Sequence, residues 1–263
     1  MMEEIIKVKN EGYAEYEEVL LQRDKVKKES LLWKIEYTKE FGKQITDLFE
    51  MKITCVKKKK IIAYCQTQIN KGKTIDQEEM LTFINHEMQE YNHELEQMVE
   101  ETEKANSGHQ ISTATATKIK KIYHKLAKML HPDINPKTDE IPELKRLWHM
   151  IVVSYNANDL EELEAAEVLV KKALDEIGWE NIVIEINDLS KKIQKVKDEI
   201  LDIKSKDPYQ YKFILEDYEA VKAKKETLQK EMQEYADYEK ELDLVMEQFI
   251  TSGVSFKWTM DYK

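Results

Sequence analysis

The chain has 263 residues, of which 35% are charged and 41% hydrophobic, with only six glycines and four prolines. Chain-breakers this scarce exclude a sandwich or barrel, and the abundance of good helix formers gives an all-α protein of long helices. The formal charge of −11, from 41 basic and 52 acidic residues, opposes general attraction to nucleic acid or an anionic membrane.

Cys55 and Cys65 make no disulfide framework, no apolar run nears the roughly 18 residues of a membrane span, and the first residues lack the pattern of a signal peptide. The expected location is cytoplasmic. Residues 1–10 carry no clear pattern. From Glu11 to about Ile69 a loose helical spacing (Ile45, Leu48, Phe49, Val56, Ala63) predicts one very long helix or two broken near Gly42, ended by the Asn70–Lys73 stretch with Gly72 as the stop. Lys57 to Lys60 read as a solvated helix surface. Asp76, with Glu79 three residues on, caps a helix over 76–105 whose seam is Ile84, Met88, Tyr91, Leu95 and Met98. Residues 105–112 read as a loop.

Three shorter helices follow. Thr113 to Leu130 carries Ile119, Ile122, Tyr123, Leu126, Met129 and Leu130 on one face. Pro132 and Pro136 force His131–Pro136 into a loop. Pro142 suits the first turn of a helix running to about Tyr155, with Leu144, Leu147, Trp148, Ile151 and Tyr155 on one side. Asp159 and Glu162 cap a third, with Leu160, Leu163, Ala166, Val170 and Leu174 inward and Gly178 interrupting it. The steps of three and four through Ile186, Leu189, Ile193, Val196, Ile200 and Ile203, a turn at Ser205–Pro208 and a second seam from Ile214 to Phe249 predict an antiparallel hairpin. Its arms match in length if the helix from Asp159 continues through a bend at Gly178. Gly253 to Lys263 reads as a short strand or an irregular cap.

The informative region runs from Lys118 to Tyr155. Between Ile111 and Leu130 there are five lysines and no acid, and Lys118, Lys121, Lys125 and Lys128 form a stripe away from the apolar face. That stripe suits an acidic protein surface. The run from Ile119 through His131-Pro132-Asp133 to Pro136 resembles the second helix and signature loop of the J domain of DnaJ-family co-chaperones. Trp148, Ile151, Ser154 and Tyr155 fall where that family's third helix carries its own pattern. The resemblance covers roughly residues 111–175.

It implies docking on a DnaK-type seventy-kilodalton heat-shock chaperone. The basic helix would meet the acidic ATPase lobe, with His131, Pro132, Asp133 and Asn135 at the contact, and ATP hydrolysis would be stimulated. Asp133 suits a charge-assisted hydrogen bond from an arginine, and Pro132 fixes the loop. Tyr123, Leu126, Leu130, Trp148, Ile151 and Tyr155 would be the core. The family's first-helix signature is absent before Ser112, and the helix over 76–105 is expected to take its place. The zinc module and β-rich client domains are absent too.

The expected organisation is a long-helix region over 1–108, a J-like unit over 111–177 and a hairpin over 178–263 packing back on it. The protein is expected to be no enzyme, to hold no cofactor, and to have no metal site among Cys55, Cys65, His86, His93 and His109. It is expected to bind neither nucleic acid nor membrane, and homo-oligomers through the hairpin are allowed. The alternative is a coiled-coil scaffold with a degenerate J module.

Overall fold

The computed structural model describes residues 7–8, 12–107, 111–178, 183–184 and 188–252. The class is all-α. In chain order the described elements are β1 (Lys7–Val8), α1 (Tyr13–Asn70), α2 (Gln77–Glu87), α3 (Gln89–Ser107), α4 (Thr113–Leu130), α5 (Lys137–Glu140), α6 (Pro142–Ala157), α7 (Leu160–Ile177), β2 (Val183–Ile184), α8 (Leu189–Lys204), α9 (Tyr211–Leu215) and α10 (Tyr218–Ser252). The two short extended segments pair in parallel, Lys7 with Val183 and Val8 with Ile184.

The chain divides into two units, one from Met1–Trp33 with His109–Gln210, the other from Lys34–Gly108 with Tyr211–Lys263. In the first, capping sets the helix limits. Ser112 Oγ accepts from the Thr115 amide at 3.1 Å and starts α4. Pro142 opens α6, where a missing N–H costs nothing. Asn158 ends α6 in the left-handed region at φ 58°. Asp159 Oδ1 then accepts from the Glu162 amide at 3.0 Å and starts α7. The core joins Ile119, Leu126 and Leu130 of α4 to Leu144, Leu147 and Ile151 of α6 and Leu163, Ala166 and Val170 of α7, all fully buried. Tyr123 stacks on Tyr155 at 3.8 Å, while the His131 ring lies 4.9 Å from Trp148. Later positions of α4 thus meet earlier positions of α6, and the two helices run antiparallel.

The same core takes Tyr16, Val19, Leu20 and Val26 from the start of α1 and Ile193, Val196 and Ile200 from α8. Each such buried aliphatic side chain contributes about 1.5–3 kcal/mol of transfer free energy. The α1 start therefore supplies the packing expected of the helix over 76–105. The α8 seam of Ile193, Val196 and Ile200 buries in this core.

In the second unit the rest of α1 is the common surface. Phe41 and Leu48 bury against Leu228 of α10. Cys55 and Ile62 bury against Tyr238 and Leu242. Ile53 buries against Ile84 and Met88. Lys58 pairs with Glu239 at 2.8 Å and Asp243 at 2.6 Å, and Lys60 with Glu87 at 2.8 Å, so two of the four consecutive lysines tie helices together.

The differences from expectation have local causes. No break occurs at Gly42; a Cβ there would meet Thr102 Oγ1 at 2.9 Å and Thr38 Cγ2 at 3.0 Å, so the missing side chain lets α3 approach α1. The helix over 76–105 is two helices, parted at Met88. Helix α7 does not bend at Gly178 but stops there, with Gly178 left-handed at φ 69°. Between the loop and α6, Lys137–Glu140 form a one-turn helix, α5, with Pro136 at its N-cap position. Of the two seams expected to form a hairpin, that of α8 buries in the first unit's core with the start of α1, and that of α10 buries against the rest of α1 in the second unit. The tail from Gly253 lies outside the described residues, as do the side chain of Phe249 and His109.

Candidate functional site

Helix α4 ends because Pro132 cannot continue it, and His131 is its C-terminal cap, with φ −61° and ψ 122°. The chain then turns tightly: the amides of Ile134 and Asn135 both donate to the His131 carbonyl, at 2.9 and 2.7 Å. Ile134 is driven into the core and Asn135 is fully buried. Asn135 Nδ2 donates to the Met129 carbonyl at 2.8 Å, and its Oδ1 accepts from the Lys137 amide at 3.2 Å. Expected on a docking face, Asn135 is instead an internal brace that fixes the loop to the last turn of α4.

His131 is also buried, at 5% exposure. Its Nδ1 faces the Asp133 amide at 3.1 Å, and its Nε2 lies 2.9 Å from an Arg23 Nη2. Burial holds the imidazole below its ordinary value; the nearby Asp24 and Asp133 pull the other way and do not overcome it. Burial thus favours the neutral ring, whose Nδ1 accepts from the Asp133 amide and whose Nε2 lies 3.6 Å from Asp24 Oδ2 as well as beside Arg23. Asp133 is open to solvent, with 44% of its side chain exposed.

Sequence reasoning missed the group at the centre. Arg23 of α1 is 8% exposed. Its Nη1 donates to Asp133 Oδ2 at 3.1 Å and lies 3.5 Å from Glu199 of α8. Its Nε and Nη2 donate to Asp24 Oδ1 at 3.3 and 3.2 Å. Burial opposes its charge, but Asp24 and Asp133 outweigh burial and raise its pKa further. Asp24 in turn accepts from the Tyr123 hydroxyl at 2.7 Å. Lys28 donates to the Tyr155 carbonyl at 2.6 Å and lies 3.8 Å over the Tyr155 ring; burial brings it down to about 8. The available signal was composition: Arg23 and Arg146 are the two arginines among 41 basic residues. A planar guanidinium presents five N–H donors in a fixed fork, against three on an ammonium, and so holds several acceptors in a set geometry.

The expected core residues Tyr123, Leu126, Leu130, Ile151 and Tyr155 are buried, and Trp148 is half-buried against them. The lysine stripe is partly spent within the unit. Lys118 pairs with Glu164 and Lys125 with Glu167, both of α7, while Lys128 pairs with Glu17 of α1 at 2.6 Å. Lys121 is exposed and makes no ion pair among the described residues. A cavity of about 270 Å³ opens beside the loop, lined by Arg23, Lys27, His131, Asp133, Trp148 and Tyr155 among others.

No family model, curated protein or solved structure matches the chain. Among the described residues no group of three or more His, Cys, Asp or Glu is placed to hold a metal ion, and no helix is long and apolar enough to cross a membrane.

Proposed function

We propose that the chain is a J-domain-type co-chaperone that docks on a DnaK-type heat-shock chaperone through α4 and the His131-Pro132-Asp133 loop and stimulates ATP hydrolysis. The observation that carries this reading is the loop's position: it joins two antiparallel amphipathic helices, the first of them with five lysines and no acid, and it leaves the Asp133 carboxylate at the surface. The contribution is binding, not covalent chemistry: a ligand that prefers one state of its partner shifts the partner toward it. The helices of the second unit would hold a client or a second copy. A single-turnover ATPase assay with a DnaK-type chaperone tests the reading. Stimulation by the wild type that is lost in Asp133→Asn supports it, and none at any concentration of either overturns it.

One observation favours a second reading, a scaffold with a degenerate J module: His131 is buried and spends both ring nitrogens inside the unit. That reading predicts no ATPase stimulation and stable self-association in sedimentation.

A further inference from the structure

Arg23 occupies the chemistry that a docking partner would need. Asp133 is suited to one charge-assisted hydrogen bond from an arginine, and the chain supplies that arginine itself, 110 residues upstream. The same stretch of α1 brings Glu17 to Lys128 of the stripe and Asp24 to Tyr123 and His131. Three side chains of one helical segment thus engage the loop and the basic face together. Resting on the docking reading above, we propose that the Arg23 side chain is an intramolecular latch: Arg23 holds Asp133 in place of a partner's arginine, and docking proceeds from the form in which Arg23 has let go.

The geometry makes this a latch and not a permanent brace. On leaving Asp133, Arg23 keeps Asp24 and Glu199, so its charge is not stranded. Asp133 is already 44% exposed, so releasing it strands no buried carboxylate. The cavity beside the loop is lined by both Arg23 and Asp133, which gives an incoming side chain access to the carboxylate without unfolding α4. Arginine is the residue this role selects, because one fork reaches His131, Asp24 and Asp133 at once.

A latched population lowers apparent affinity by the fraction that is open. The test uses the full chain as wild type, Arg23→Gln, Arg23→Lys and Asp133→Asn, titrated into a DnaK-type ATPase assay, with hydrogen exchange of the Asp133, Ile134 and Asn135 amides measured in parallel. Arg23→Gln is expected to reach half-maximal stimulation at a concentration about tenfold below wild type, with faster loop exchange and Arg23→Lys intermediate in both. Equal or weaker stimulation by a folded Arg23→Gln, with loop exchange unchanged, overturns the latch; loss of stimulation in Asp133→Asn then leaves the docking reading standing. No stimulation by wild type and Arg23→Gln alike overturns the docking reading and the latch with it. If Arg23→Gln does not fold, Arg23→Lys decides by the same criteria.

Discussion

Tyr123 and Asp24 offer the sharpest test of how the first unit is held together. The Tyr123 hydroxyl, in a residue 3% exposed, donates to Asp24 Oδ2 at 2.7 Å, and the Asp24 side chain is 11% exposed. Tyr123→Phe removes one hydrogen bond to a charged acceptor and keeps the ring stacked on Tyr155. Such bonds are worth about 1.5–3 kcal/mol, and Asp24 retains Arg23, so a loss of about 1.5 kcal/mol is expected. Asp24→Asn keeps the shape but removes the charge that Arg23 and Tyr123 share; about 2 kcal/mol is expected. Because the pair is one interaction, the double variant should lose about 1 kcal/mol less than the sum. The assay is hydrogen exchange of the α4 amides, which reports the opening free energy of this unit separately from the rest of the chain. The Tyr123 phenol, pushed far up by burial and then by Asp24, should also titrate lower in Asp24→Asn. Effects that add within about 0.5 kcal/mol would refute the pairing.

Three further outcomes are expected. Gly42→Ala should cost about 1–3 kcal/mol in thermal melting, although alanine ordinarily favours a helix by about 1 kcal/mol, because the new methyl meets Thr102 and Thr38; stabilisation would show that α3 does not approach there. His131 has a depressed pKa in the fold, so the unfolded chain takes up its proton first as pH falls. Its contribution to stability is complete above pH 6.5 and is lost as pH drops below that. Urea midpoints should therefore fall less between pH 7 and pH 5 in His131→Gln than in wild type, and equal slopes would count against a buried neutral ring. Asn135→Ala should lose about 2 kcal/mol, since it orphans the Met129 carbonyl and the Lys137 amide, and the Lys137 amide should exchange faster.

Helix limits near the loop were legible in the sequence because they are written in local chemistry. Pro142 and Asp159 each act on backbone groups within three residues. The lysine stripe and the apolar faces of α4, α6 and α7 follow from spacing alone. Partner choice did not. A seam of threes and fours, as at Ile193, Val196 and Ile200, says that a helix packs there but carries no address, so the part of α1 that shares a cluster with each of α8 and α10 is not written in the spacing. Gly42 was ambiguous for a related reason: the same residue that weakens a helix also permits close approach of another, and only the neighbour decides. Arg23 and Asp24 entered the site from 108 and 107 residues upstream of His131, at a distance no motif spans.

Because α1 contributes to both units, neither unit is a continuous stretch of chain. Glu15 pairs with Lys197 and Lys58 with Glu239, across 182 and 181 residues. During synthesis at about 5–20 residues per second, the apolar stripe of α1 leaves the ribosome roughly 10–40 s before α8 and α10 exist to cover it. The nascent chain thus carries those faces of α1 that α8 and α10 cover bare through most of its own translation. For the same reason no single cut releases either unit whole, and a fragment ending after α8 would keep every segment of the first unit while leaving the second half of α1 uncovered by α10.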